Sequence, residues 1–80
     1  MILLGTQKHW LNGARHLVSD TSTEELIAAA VAVGLQAKHI QISHHGLVHF
    51  DVWGRPLKRL LEAGVQVVSE RELVERAIFV

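Results

Sequence analysis

The stretch HLVSDTSTEELIAAAVAVG, residues 16–34, decides how the fold is read. Ser22 and Glu25 make a capping box, in which each side chain satisfies the other residue's backbone N–H at a helix start. Thr21 with Glu24 offers the same pattern one residue earlier. Leu26, Ala29, Ala30 and Val33 follow at helical spacing, and Gly34 suits the left-handed position that ends a helix. An alanine-rich face lets such a helix approach a sheet closely. Just before the cap stands the apolar run Leu17-Val18, so the stretch reads as strand, cap, helix.

The far end of the chain repeats that grammar. Val65-Gln66-Val67-Val68 reads as a strand, Ser69 with Glu72 as a second capping box, and Leu73, Val74 and Ala77 as the apolar stripe of a last helix. Between them, Pro56 suits a helix first turn, Leu57, Leu60 and Leu61 supply its stripe, and Gly64 closes it. Ile2-Leu3-Leu4, ending at Gly5, reads as a buried strand. Ile40-Gln41-Ile42 alternates, and so do Val48, Phe50 and Val52, with His49 and Asp51 on the opposite face. His44-His45-Gly46 between these runs fits either a hairpin turn or a loop feeding the next helix. The gap from Gly5 to His16 is barely long enough for a parallel crossover, so an antiparallel partner for residues 16–18 is equally open. Helices that separate strands favour parallel pairing. The expected fold is therefore a single α/β domain over residues 1–80, in β-α-β-α-β-α order. Its sheet is expected to be mainly parallel, of about three or four strands, the extra one near residue 17.

Composition narrows the field. With 80 residues and no cysteine, neither a disulfide framework nor a thiolate metal site is available. A chain this short buries only on the order of 60% of its unfolded surface. An apolar share of 49% is generous for that size, which leads us to expect a homodimer, or a homo-oligomer more generally. Eight basic residues cancel eight acidic ones, so no global field steers the chain to nucleic acid or to an acidic membrane. The apolar run Leu26–Leu35 is too short to span a bilayer, and Met1–Leu4 lacks the features of a signal peptide. A cytoplasmic location is expected.

Several short runs together resemble a known family. Trp10, His16-Leu17-Val18-Ser19-Asp20, Glu25-Leu26, His49-Phe50-Asp51-Val52 and Ser69 with Arg71-Glu72-Leu73 occur in the order W, HLVSD, EL, H[YF]DV, SxREL. That order is similar to short bacterial and phage proteins of domain of unknown function four thousand thirty-one. The resemblance covers about Trp10 to Leu73 and implies a shared fold and site position, with no reaction attached. The chain departs from the pattern at Gly5, where the family often has aspartate, and at Ile27, where it has histidine. A family site that used those two residues would be altered here.

Histidine is the compositional oddity: six in all, four of them between His39 and His49. His44, His49 and Asp51 are the candidate metal ligands, with His45 able to replace His44, because imidazoles and a carboxylate suit zinc, manganese, iron or nickel. The plain alternative is a solvated loop with Asp51 capping the next helix. Asp20, His49 and Asp51 are the candidate catalytic residues; Asp20 follows an apolar run, where α/β sheets gather ligands, but it also sits well before a helix start. Ser43 and Ser69 are weaker members of the same edge. Thr6, Gln7, Lys8 and His9 form a possible anion loop without a phosphate-binding glycine pattern. Arg55, Lys58 and Arg59 read as a solvated face, and Trp10 and Trp53 as packing anchors. The leading expectation is a homo-oligomeric binding or accessory module, and the alternative a small divalent-metal-dependent hydrolase. A nucleic-acid factor using Lys8, Arg15, Arg55, Lys58 and Arg59 comes last. The small-molecule ligand is left open.

Overall fold

Val48, Phe50 and Val52 leave one side of an extended segment, Leu47, His49 and Asp51 the other, and both sides are used. In the computed structural model, which describes residues 1–80, that segment is the strand β4 (Val48–Val52), one of five. The others are β1 (Ile2–Gly5), β2 (Arg15–Ser19), β3 (Gln41–Ile42) and β5 (Gln66–Val68). Three helices, α1 (Thr23–Ala32), α2 (Gly54–Glu62) and α3 (Glu70–Arg76), and a 3₁₀ turn at Ala37–His39 complete the chain. None of the helices is long and apolar enough to cross a membrane.

The sheet runs β3-β4-β2-β1-β5 and is mostly antiparallel. Pairs β1/β2, β2/β4 and β3/β4 are antiparallel, and only β1/β5 is parallel. This corrects the expected mainly parallel sheet in β-α-β-α-β-α order. The reason is connection length. A parallel crossover needs about a dozen residues or more, and the segment from Thr6 to Ala14 instead turns back on itself through a bridge between His9 and Ala14. Likewise Ser43-His44-His45-Gly46 is a hairpin turn: Gly46 N–H donates to the Ser43 carbonyl at 2.9 Å and Ser43 N–H to that of Leu47 at 3.0 Å.

Alternation gives the sheet two different faces. Leu4, Leu17, Val48, Phe50 and Val52 meet Leu26 and Ala30 of α1 and Leu60 of α2 in the larger core. On the other face Leu3, Val18, Leu47 and Val68 meet Leu73 of α3 in a smaller one. Helix α3 has only seven residues. His16, His49 and Asp51 emerge on this second face by the same parity.

Both expected helix caps form by half. Ser22 Oγ accepts from Glu25 N–H at 3.0 Å and Ser69 Oγ from Glu72 N–H at 3.1 Å. Neither glutamate reaches back. Glu25 accepts from Ser19 Oγ, and Glu72 from Arg76.

The apolar end of the chain packs on the domain. Val48 N–H donates to the Ile78 carbonyl at 3.1 Å and Val80 N–H to that of Gly46 at 2.9 Å. Gly46 has φ +92°, and a β-carbon there would run into the Val80 carbonyl. Gly46→Ala is therefore expected to lose about 1–3 kcal/mol, from left-handed strain and from displacing residues 78–80. A lower urea midpoint at unchanged m would show it.

Candidate metal centre

His16 and Asp51 are register partners on β2 and β4, so their side chains emerge together on one face. His49 precedes Asp51 by two residues and shares that face. Asp51 Oδ1 lies 3.6 Å from His16 Nε2 and 3.6 Å from His49 Nε2, and the three atoms fall within 4.8 Å of one another. From below, Glu70 at the start of α3 places Oε1 2.8 Å from His16 Nδ1. From the β1–β2 connection, the His9 ring stacks on His16 with centroids 4.0 Å apart, and its Nε2 lies 3.5 Å from the same Glu70 oxygen. His9, His16 and Glu70 make a second ligand grouping.

Hydrogen bonding assigns the tautomers. His49 Nδ1 is 3.0 Å from the Leu47 carbonyl oxygen, which only accepts, so Nδ1 carries the proton. His16 Nδ1 faces a carboxylate oxygen and carries its proton for the same reason. In their neutral forms both rings then turn an Nε2 lone pair towards Asp51 Oδ1. In those neutral forms three acceptors converge, an arrangement that a proton on either Nε2 or a bound cation would resolve. Two further polar atoms, His9 Nε2 and Glu70 Oε2, are buried without a hydrogen bond.

Burial, acting against the pull of Glu70, holds the His16 imidazole below its usual pKa. Unfolded, His16 takes up a proton as the pH falls through about 6.5; folded, it does so at lower pH. Across that window the unfolded state binds more protons, so stability falls on acidification, while above it His16 contributes no slope. The urea midpoint of metal-free protein is expected to drop between pH 7.5 and 5.5, and His16→Gln to flatten that drop.

Of the residues singled out in the sequence, His49 and Asp51 come together, and His44 does not join them. His44 sits exposed in the β3–β4 turn, edge-on to His45 with ring centroids 4.9 Å apart. Asp51 does not cap α2, whose N-cap is Trp53 with no side-chain bond. Asp20 belongs to neither grouping. It accepts from the Met1 ammonium at 2.8 Å and from Arg76 at 2.9 Å; the ammonium first, then Arg76, holds its carboxyl well below the usual carboxylate range. That network ties the β2–α1 junction to α3. His16, His9 and Glu70 were not read as ligands from the sequence. The parity of His16 with Val18 was the one local signal for His16.

A family model described as a protein of unknown function (DUF4031) matches residues 5–79. The chain belongs to that family. No curated protein and no solved structure matches it significantly. Two of the runs that carry the DUF4031 resemblance meet at the cluster: HLVSD brings His16, and HFDV brings His49 and Asp51; Glu70 stands at the open position of the SxREL run. The two departures from the DUF4031 pattern fall differently. A β-carbon on Gly5 would stand 2.8 Å from Glu70 Oε2, so glycine at residue 5 leaves the space that the Glu70 carboxylate enters. Ile27 packs against the larger core, on the sheet face away from the cluster.

Proposed function

We propose that this DUF4031 member holds one divalent transition-metal ion on His16 Nε2, His49 Nε2 and Asp51 and uses it for hydrolysis. The observation that carries the reading is the convergence of two imidazole Nε2 atoms on one carboxylate oxygen, at 3.6 Å from each ring to the carboxylate. Two histidines and one carboxylate are a recurrent ligand set that leaves coordination positions open for water and substrate. Each ring has the outer partner that such ligands usually have, Glu70 for His16 and the Leu47 carbonyl for His49. An ion held by His16, His49 and Asp51 would supply Lewis-acid chemistry, lowering the pKa of a bound water towards about 7 and polarising a substrate oxygen. Depression of the His16 pKa by burial favours the neutral, ligating ring.

Calorimetric titration of purified, tag-free protein with Zn²⁺, Mn²⁺ and Co²⁺ at pH 7.5 tests the reading. It should show one saturable site per chain, and heats indistinguishable from buffer would refute it. Glu70→Gln keeps the ion's direct ligands and removes the charge that orients His16, so affinity should fall about 10- to 100-fold in the same titration.

A second reading, self-association, is favoured by the tip of the β1–β2 connection. Trp10 is 76% exposed and adopts φ +60°, the one non-glycine residue in that region, and Leu11 beside it is fully exposed. A strained, solvent-facing tryptophan costs free energy that burial against a second copy would offset. Sedimentation across a hundredfold concentration range tests this, and a constant monomer mass would end it.

A further inference from the structure

We propose that the notch beside Asp51 binds a phosphate monoester of a planar group, with a nucleoside monophosphate as the type ligand. This inference rests on the metal reading above and names the substrate class of that site. β3 is only two residues long, and a cavity of about 400 Å³ opens where the 3₁₀ turn before it, β3 and β4 meet. That volume lies within the range of small-molecule sites. Asp51 belongs both to the cavity wall and to the ligand triad. Gln41, also in the wall, is the register partner of His49, so it projects from the same sheet face as the triad. The cavity therefore adjoins the place where the ion is held.

The wall has two kinds of surface. Leu35 and Ile40 pack partly into the larger core and present apolar sides, and Trp53 keeps 47% of its surface open. An indole in that position suits stacking by a flat ring. Lys38 and His39 add basic groups, and Lys38 lies in the wall as an exposed cation. Lysine is a common point-charge ligand of phosphate. Asp51 alone repels a phosphate. Neutralised by a divalent ion it no longer does, and the ion itself attracts phosphoryl oxygens. Phosphoester binding here is therefore coupled to metal binding. Hydrolysis of such an ester needs water alone: the water oxygen forms a bond to phosphorus, the ester P–O bond breaks with its electron pair on oxygen, and the departing alcohol takes up the proton.

The test titrates adenosine monophosphate, adenosine and inorganic phosphate into the protein, once with Zn²⁺ or Mn²⁺ and once with a chelator. Metal uptake is measured separately in the absence of any nucleotide. Adenosine monophosphate should bind at least about tenfold more tightly with metal than without, and quench Trp53 fluorescence in a Trp10→Phe background. Lys38→Ala should weaken nucleotide binding about tenfold or more without changing metal affinity. Equal binding of adenosine and the monophosphate, or of inorganic phosphate and the monophosphate, would overturn the inference. So would metal uptake with no nucleotide binding, and that outcome leaves the metal centre standing. Absent metal uptake would overturn both.

Discussion

Asp51→Asn should lower the affinity of the protein for a divalent ion by more than about a hundredfold while leaving it folded. The substitution keeps the shape of the side chain and removes its charge. An amide nitrogen in place of a carboxylate oxygen also donates to the Nε2 atoms of His16 and His49, which the carboxylate faces at 3.6 Å. The variant thus relieves the crowding of acceptors that makes the site attractive to a cation. Loss of an outer-shell partner costs a metal site about 10- to 100-fold in affinity, and loss of a charged direct ligand should exceed that. Two comparison variants locate the effect. His44→Ala and Asp20→Asn alter residues that the sequence suggested and that belong to neither ligand grouping, so metal affinity should stay within about twofold. Asp20→Asn should cost stability instead, because it weakens the contacts with the Met1 ammonium and Arg76. Isothermal titration of the three variants with Zn²⁺ measures the affinities, and urea denaturation the stability of Asp20→Asn. A hundredfold loss in His44→Ala, or none in Asp51→Asn, would place the ion elsewhere.

Phe50→Ala should destabilise the domain by about 3–5 kcal/mol, the usual cost of truncating a fully buried phenylalanine. Phe50 is completely buried at the middle of β4, opposite the equally buried Leu17 of β2. It touches the core that α1 and α2 share with the sheet. A domain of this size has only about 4–12 kcal/mol of stability in total, so much of the population should unfold at 37 °C. The same strand pair carries His16, His49 and Asp51, and metal binding should therefore weaken along with folding. Val67→Ala on β5, 40% exposed, should stay within about 0.5 kcal/mol of wild type. Urea denaturation followed by circular dichroism compares the two. A loss under about 1 kcal/mol for Phe50→Ala would contradict the packing of β4 as the centre of the fold.

Local features were legible in the sequence wherever a short-range rule applied. The period-two run at Val48, Phe50 and Val52 read as a strand, and it also put His49 and Asp51 on one face. Ser22 and Ser69 read as caps because a hydroxyl three residues before a backbone N–H satisfies it whatever the tertiary context. Strand direction was not legible in the same way. The rule that helices separate parallel strands holds for units in which each strand is followed by a helix, but here β1 and β2 follow each other directly, as do β3 and β4. The segments between them are too short for a crossover, so β1/β2 and β3/β4 became antiparallel, and the tight turn after β3 returns β4 antiparallel to β2 as well.

The candidate site was half legible for the same reason. His49 and Asp51 are two residues apart, and strand parity suffices to unite them. His16 meets Asp51 only because β2 and β4 pair in a particular register, and Glu70 reaches His16 from 54 residues away. No local pattern encodes either meeting. His44 looked equivalent to His49 in a histidine-rich run, yet it sits exposed in the β3–β4 turn and belongs to neither ligand grouping.

The most direct test of the metal centre is the tautomeric state of its two histidines, read from imidazole nitrogen shifts in two-dimensional ¹H–¹⁵N NMR at pH 7.5. In metal-free protein, His16 and His49 should both carry the proton on Nδ1, and on adding one equivalent of Zn²⁺ their Nε2 resonances should shift while those of His39, His44 and His45 stay in place. Protons found on Nε2 in both rings, or Zn²⁺ shifts confined to the histidines of the β3–β4 turn, would contradict a centre built on His16, His49 and Asp51.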